Sequence, residues 1–196
     1  MEVNYDLKAL IRTLATSQAY QRASQPNAAN RLDDQNYSHA LWKPMPAEVL
    51  LDAVSQVTAV PEQFDGWPVG YRAVELWDNK LPSHFLQVFG RPTRQTVCAC
   101  ERGTEPSIAQ ALHLMNSETT SARVEHRNGL VARLIDQNPA DDRLIDELYL
   151  TVLARYPKPS ERTLMTEALL SAESRRTGAE DILWTLLNTR EFVFNH

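Results

Sequence analysis

Between Val60 and Gly103 this chain is interrupted by Pro61, Gly66, Pro68, Gly70, Pro82, Gly90 and Pro92, while long helical periodicities run on either side. Proline removes a backbone donor and glycine weakens helix and strand interiors, so no long regular element can cross this region. The expected architecture is therefore all-α: a helical bundle with a long irregular central segment, in which at most one short strand or hairpin is expected. Residues 1–196 are expected to form a single helical domain, with 1–60 helical, 61–104 irregular and 105–196 helical. Irregular stretches of such length are uncommon unless they pack on a core or serve a function.

Leu7, Leu10, Ile11 and Leu14 recur at helical spacing behind Asn4 and Asp6, which predicts a first amphipathic helix running to about Ala23. Pro46 stands where a proline opens a helix, and Val49, Leu50, Ala53, Val54 and Val57 supply that helix's buried stripe. Inside the irregular centre, Tyr71, Ala73, Glu75 and Trp77 alternate with Arg72, Val74 and Leu76 as in a short strand. Phe85, Leu86 and Phe89 suit a helical turn or two ending at Gly90. Further helices are expected over Glu105 to Asn116, around Gly129 to Asp136, and from Asp141 to Ala154 with Leu144, Ile145, Leu148, Tyr149 and Val152 on one side. Pro157 and Pro159 stop the last of these, and Ser160 is placed to cap a successor in which Leu164, Ala168, Leu169 and Ala172 face inward. Gly178 is expected to separate a final helix carrying Ile182, Leu183, Leu186 and Leu187.

The 20 basic and 25 acidic residues give a net charge of -5 and form no lysine- or arginine-rich block, which disfavours nucleic acid as a partner. No apolar run approaches the roughly 18 residues of a membrane span, and Met1 to Asp6 lacks the features of a signal peptide. A full-length chain of this kind would stay in the cytoplasm. The tail of a longer exported protein would instead reside outside it, or in the periplasm.

Chemistry is concentrated in Cys98-Ala99-Cys100-Glu101-Arg102 and the following predicted helix. There Gln110, His113 and Asn116 share an arc opposite the apolar residues Ile108, Ala111, Leu112 and Met115. One reading is a solvated helix face. The other is a polar site of Cys98, Cys100, Glu101, Arg102, Gln110, His113 and Asn116, with His113 as general base and Arg102 as anion binder. No metal is expected, since zinc needs about four ligands. Beside Cys98 and Cys100, His84, His113 or His126 would have to converge, and no two histidines have the spacing that marks a zinc site, which leaves Cys98, Cys100 and His113 as weak candidates. The two cysteines lack the CxxC and CxxCH spacings and read as inert thiols. GxSxG, GxxxxGK[ST] and GxGxxG are absent.

Among the tryptophans Trp42, Trp67, Trp77 and Trp184, Trp67 between Gly66 and Pro68 is the candidate for recognition, because a loop tryptophan can stack on a sugar or fill a partner's pocket. Its alternative role is to anchor the irregular segment to the core. Trp184 is expected in the core, and Phe192, Val193 and Phe194 are expected to dock the chain's end on the body of the protein.

Several blocks together resemble a family, the C-terminal domain of unknown function 1553. They are Tyr20-Gln21-Arg22-Ala23-Ser24, Pro46 to Ala53, Phe89-Gly90-Arg91-Pro92, Cys98 to Arg102, Gln110 to Asn116, and Leu183 to Asn188 through Glu191-Phe192. The resemblance implies a large exported planctomycete protein, often with an upstream cytochrome c-like domain, and it implies no established reaction. No cofactor is expected in this chain, haem belonging only to such an upstream domain. The exported location is the favoured one.

The reading that results is a non-catalytic interaction or scaffolding module, partnered by other domains of a parent protein or by separate proteins. An enzymatic, metal or ligand site around Cys98 to Arg102 and His113, with extracellular polysaccharide as its ligand, is one alternative. A redox-responsive pair of Cys98 and Cys100 is the other.

Overall fold

The computed structural model describes residues 5–77, 81–91, 110, 115 and 118–195. These are mainly α-helical, with a two-stranded sheet of Lys43–Pro44 (β1) and Phe194–Asn195 (β2) as the regular β-structure among them. The chain divides into two compact units, Met1–Lys43 with Phe194–His196, and Pro44–Val193.

In the first unit, helix α1 (Leu7–Ala15) starts where Asp6 Oδ1 accepts hydrogen bonds from the backbone N–H groups of Lys8 and Ala9, at 2.9 and 3.1 Å. It stops well before Ala23, contrary to the expected extent. The hydroxyls of Thr16 and Ser17 donate to the carbonyls of Arg12 and Leu14, at 2.8 and 2.7 Å, and this local side-chain bonding competes with continuation of the helix. The following turns are held by polar side chains: Asp33 accepts from the N–H groups of Gln35, Asn36 and Ser38, and Arg22 donates to the carbonyl of Tyr37. Trp42 meets Phe194 edge-on at 6.4 Å. None of the described residues of this unit is buried.

The second unit contains the hydrophobic core. Its helices are α2 (Ala47–Thr58), α3 (His84–Val88), α4 (Glu118–Val124), α5 (Leu130–Gln137), α6 (Asp141–Leu153), α7 (Pro159–Ser171), α8 (Arg175–Leu187) and the short α9 (Arg190–Val193). Helix α8 is central and touches α4, α5, α6, α7 and α9. Its Ile182, Leu183, Leu186 and Leu187 are buried, as are Leu144, Ile145, Leu148, Tyr149 and Val152 of α6, so both expected stripes are present. Each such leucine or isoleucine contributes about 2 kcal/mol through the apolar surface it removes from water.

Three local expectations are corrected. Gly178 does not separate helices but sits inside α8, because a Cβ there would lie 3.1 Å from Leu169 Cα; its lack of a side chain lets α7 and α8 approach. Leu164 is exposed, and Met165 with Leu169 provides the buried residues of α7, which begins with Pro159 rather than behind a Ser160 cap. In α2, Val49 is exposed, and the buried face is Ala47, Leu50, Leu51, Val54, Val57 and Thr58. Other expectations hold: α3 falls on the Phe85 and Leu86 segment, and Phe192 enters the core. Trp184 is half-buried and packs against the core from its edge.

Candidate functional site: an aromatic cleft beside helix α2

Two tandem turns begin the site. Trp67 N–H donates to Phe64 O at 3.0 Å and Tyr71 N–H donates to Pro68 O at 3.2 Å. In each turn the third residue is a glycine at positive φ, Gly66 at 81° and Gly70 at 85°, a backbone state that a type II turn demands and that a Cβ disfavours. Each turn delivers an aromatic residue at its fourth position. The rings of Trp67 and Tyr71 lie 4.6 Å apart, and Trp77 meets Trp67 edge-on at 5.7 Å.

The segment after these turns is not the short strand that the alternation of Tyr71 to Trp77 suggests. It is a 3₁₀ turn, Ala73–Glu75, whose leading N–H groups are captured from a distance in sequence. The Asp52 carboxylate of α2 accepts from Ala73 at 2.6 Å and from Val74 at 3.2 Å, with the Arg72 guanidinium 3.6 Å away. Glu75 accepts from the N–H of Arg72 at 3.1 Å. Beyond the turn, Arg91 donates to Leu76 O at 3.0 Å and stands 3.5 Å from Glu48 of α2.

A second anchor fixes the start of the segment. Arg123 reaches from α4, its side chain only 7% exposed, to the Glu62 carboxylate, and also donates to Ser55 Oγ at 2.8 Å and to Val60 O at 3.4 Å. Burial pushes the Arg123 guanidinium below the usual arginine range, and the adjoining Glu62 charge opposes that shift. The irregular stretch is thus tied to α2 and α4 by ionic and side-chain-to-backbone bonds in place of a strand ladder.

Between α2 and this segment lies a cleft of about 480 Å³, lined by Asp52, Ser55, Gln56, Ala59, Pro61, Glu62, Gly70, Tyr71 and Arg72. Ser55 donates its own hydroxyl to Leu51 O at 2.9 Å while accepting from Arg123, so it has no proton left for cleft chemistry. The side chains of Gln56 and Tyr71 make no hydrogen bond among the described residues. Trp77 does not line the cleft; it meets Trp67, whose ring in turn lies against Tyr71, and is 79% exposed.

A model of the family described as PSD1, protein of unknown function (DUF1553), matches residues 1–169. The chain belongs to the DUF1553 family. The matched stretch includes every residue that lines the cleft, the aromatic group and Arg123. No curated protein and no solved structure matches the chain.

Of the residues that the sequence singles out in this DUF1553 domain, Trp67 stands in the aromatic group, where it is half-buried and packs against the hydrophobic core. Gln110 is half-buried and its amide donates to Val88 O, at the end of α3, at 3.2 Å. Cys98, Cys100, Glu101, Arg102, His113 and Asn116 lie outside the described residues. Asp52, Glu62, Tyr71, Arg72, Trp77 and Arg123 belong to the candidate site and were not singled out by sequence reasoning as site residues. The signal for some of them was present, as Trp67, Tyr71, Arg72 and Trp77 crowd into an irregular stretch flanked by glycine and proline.

A different polar cluster, which joins Arg155 and Glu161 to Glu191 beyond the family match, is structural. Arg155 donates to both oxygens of Glu161, at 2.8 and 2.9 Å, to both oxygens of Glu191, at 2.6 and 2.7 Å, and to Tyr156 O at 3.1 Å. Guanidinium carries five N–H donors, and all of them are used. Arg155 also lies 5.5 Å from the centre of the Tyr149 ring. Its hydrogen bonds hold the Glu161 carboxyl down at about 2.

Proposed function

We propose that this domain is a non-catalytic recognition module whose binding surface is the Trp67, Tyr71 and Trp77 group with the adjoining cleft. One observation carries the reading: a buried arginine and a carboxylate bound to two backbone donors fasten a segment that presents Trp77 to solvent. Through Trp67 the exposed Trp77 is continuous with Tyr71, and such a contiguous aromatic surface on a firmly anchored segment suits a patch that something else covers. Tryptophan, tyrosine and arginine are also the residue types that dominate binding energy at recognition surfaces. Among the described residues that line the cleft, the serine hydroxyl is committed to Leu51 O, the Asp52 carboxylate to the Ala73 and Val74 N–H groups and the Glu62 carboxylate to Arg123, so the groups that could serve as nucleophile or base are already engaged in holding the segment. In a larger exported protein, such a module would hold a ligand or partner for the other domains.

The four tryptophans provide the test. Protein labelled with 5-fluorotryptophan gives one fluorine signal per indole, assigned through single tryptophan-to-phenylalanine variants. Soluble oligosaccharides, peptides and nucleotides are then titrated. A ligand should shift the signals of Trp67 and Trp77 while leaving Trp42 and Trp184 in place, and should be recovered unchanged by mass spectrometry. Shifts confined to Trp42 or Trp184, or consumption of the ligand, would overturn the proposal.

A further inference from the structure

Resting on that recognition role, we infer that the ligand is a neutral glycan, with a pyranose ring stacked on Trp77 and neighbouring hydroxyls held in the cleft beside Tyr71. The aromatic geometry sets the first constraint. Rings whose centres lie 4.6 and 5.7 Å apart are in mutual contact, so they leave no space between them to enclose a cation. They form a wall rather than a cage.

Because Trp77 and Trp67 meet at 68°, edge to face, at most one face of the Trp77 indole is covered by Trp67. Its high exposure leaves the other face open. A pyranose ring offers a matching surface, a patch of C–H bonds rimmed by hydroxyls. It can lie on an indole face without leaving its polar groups unsatisfied.

The cleft supplies partners for that rim. Asp52, Gln56, Glu62 and Arg72 end in planar groups with two or more hydrogen-bonding atoms, the geometry that spans adjacent hydroxyls, and the Tyr71 hydroxyl is uncommitted among the described residues. The volume falls within the ~300–1,000 Å³ of small-ligand sites. Charge favours a neutral ligand, since the carboxylates of Asp52 and Glu62 are matched by the guanidinium groups of Arg72 and Arg123. A peptide fits less well: strand addition requires a sheet edge and helix docking an apolar groove, whereas this cleft lies between a helix and a polar loop.

Affinity electrophoresis tests the assignment, with the full chain run in native gels containing glucan, xylan, mannan or polygalacturonate. Retardation is expected in at least one of the three neutral gels. Trp77→Ala should abolish it, and Tyr71→Phe, which keeps the ring and removes the hydroxyl, should weaken it about ten-fold. Tyr156→Ala, at an exposed position away from the cleft, should run like the unaltered chain.

Unaltered mobility in every neutral gel, retardation by polygalacturonate alone, or binding that survives Trp77→Ala would overturn the glycan assignment. If peptides move the Trp67 and Trp77 fluorine signals and no glycan does, the glycan falls and the recognition role stands. If no ligand moves either signal, both fall.

Discussion

Helix α1 in the first unit and helix α6 in the second carry apolar residues at the same kind of spacing, and they end in opposite environments. Leu7, Leu10, Ile11 and Leu14 are 70, 49, 63 and 57% exposed, whereas Leu144, Ile145 and Leu148 are fully buried. Periodicity defines a face, but burial needs something for the face to meet. Helix α6 has α7, α8 and α9 as neighbours, and α1 lies in a unit without a single buried described residue. The first unit relies on caps and turn bonds, and the second on apolar area with a few enclosed ion pairs.

The contrast can be broken by substitution. Leu183→Ala, at a fully buried position in α8, should cost about 4 kcal/mol in urea unfolding followed by circular dichroism, since it removes apolar contacts and leaves a cavity. Arg123→Met should cost about 3 kcal/mol by the same measurement, because Glu62 loses its enclosed partner. It should also release the segment that carries Trp67 and Trp77, visible as a change in their fluorine signals.

Arg155→Met should cost about 2 kcal/mol at neutral pH, through charge-assisted hydrogen bonds lost by Glu161 and Glu191. The effect has a pH signature. A carboxyl held below its ordinary value of 4.5 stabilises the fold above that value, and its contribution disappears as the pH falls toward about 2. The unaltered chain should therefore lose stability through this window more steeply than Arg155→Met, and parallel slopes would refute the role given to Arg155. Leu10→Ala should be the mildest, about 0.5 kcal/mol or less, as expected for an exposed position. A loss comparable with that of Leu183→Ala would abolish the distinction between the two helices.

How far the sequence could be read follows the same division between local and distant causes. The stripe of α6 and the apolar set of α8 are written in neighbouring residues and were legible. Gly178 was not, because the letter is the same whether glycine ends a helix or admits a neighbouring backbone, and only Leu169 at 3.1 Å distinguishes the two. The alternation of Tyr71 to Trp77 suggested a strand, but the deciding group is the carboxylate of Asp52, brought there by the fold. Trp67 stands out as a loop aromatic through its glycine and proline neighbours, whereas its packing against the core depends on the fold. The cleft was not legible, since Asp52, Glu62, Tyr71 and Arg123 come together only in three dimensions and no short spacing joins them.

The central position of α8 has a practical consequence for anyone choosing a fragment of this chain. The family match stops at residue 169, within α7, and a polypeptide cut there would retain the cleft but lose Ile182, Leu183, Leu186 and Leu187 from the core beneath it. The stretch that bears the family's likeness ends before the stretch that sustains the second unit's fold does. Expression boundaries should reach at least Val193, so that α8 is kept and Glu191 still closes on Arg155.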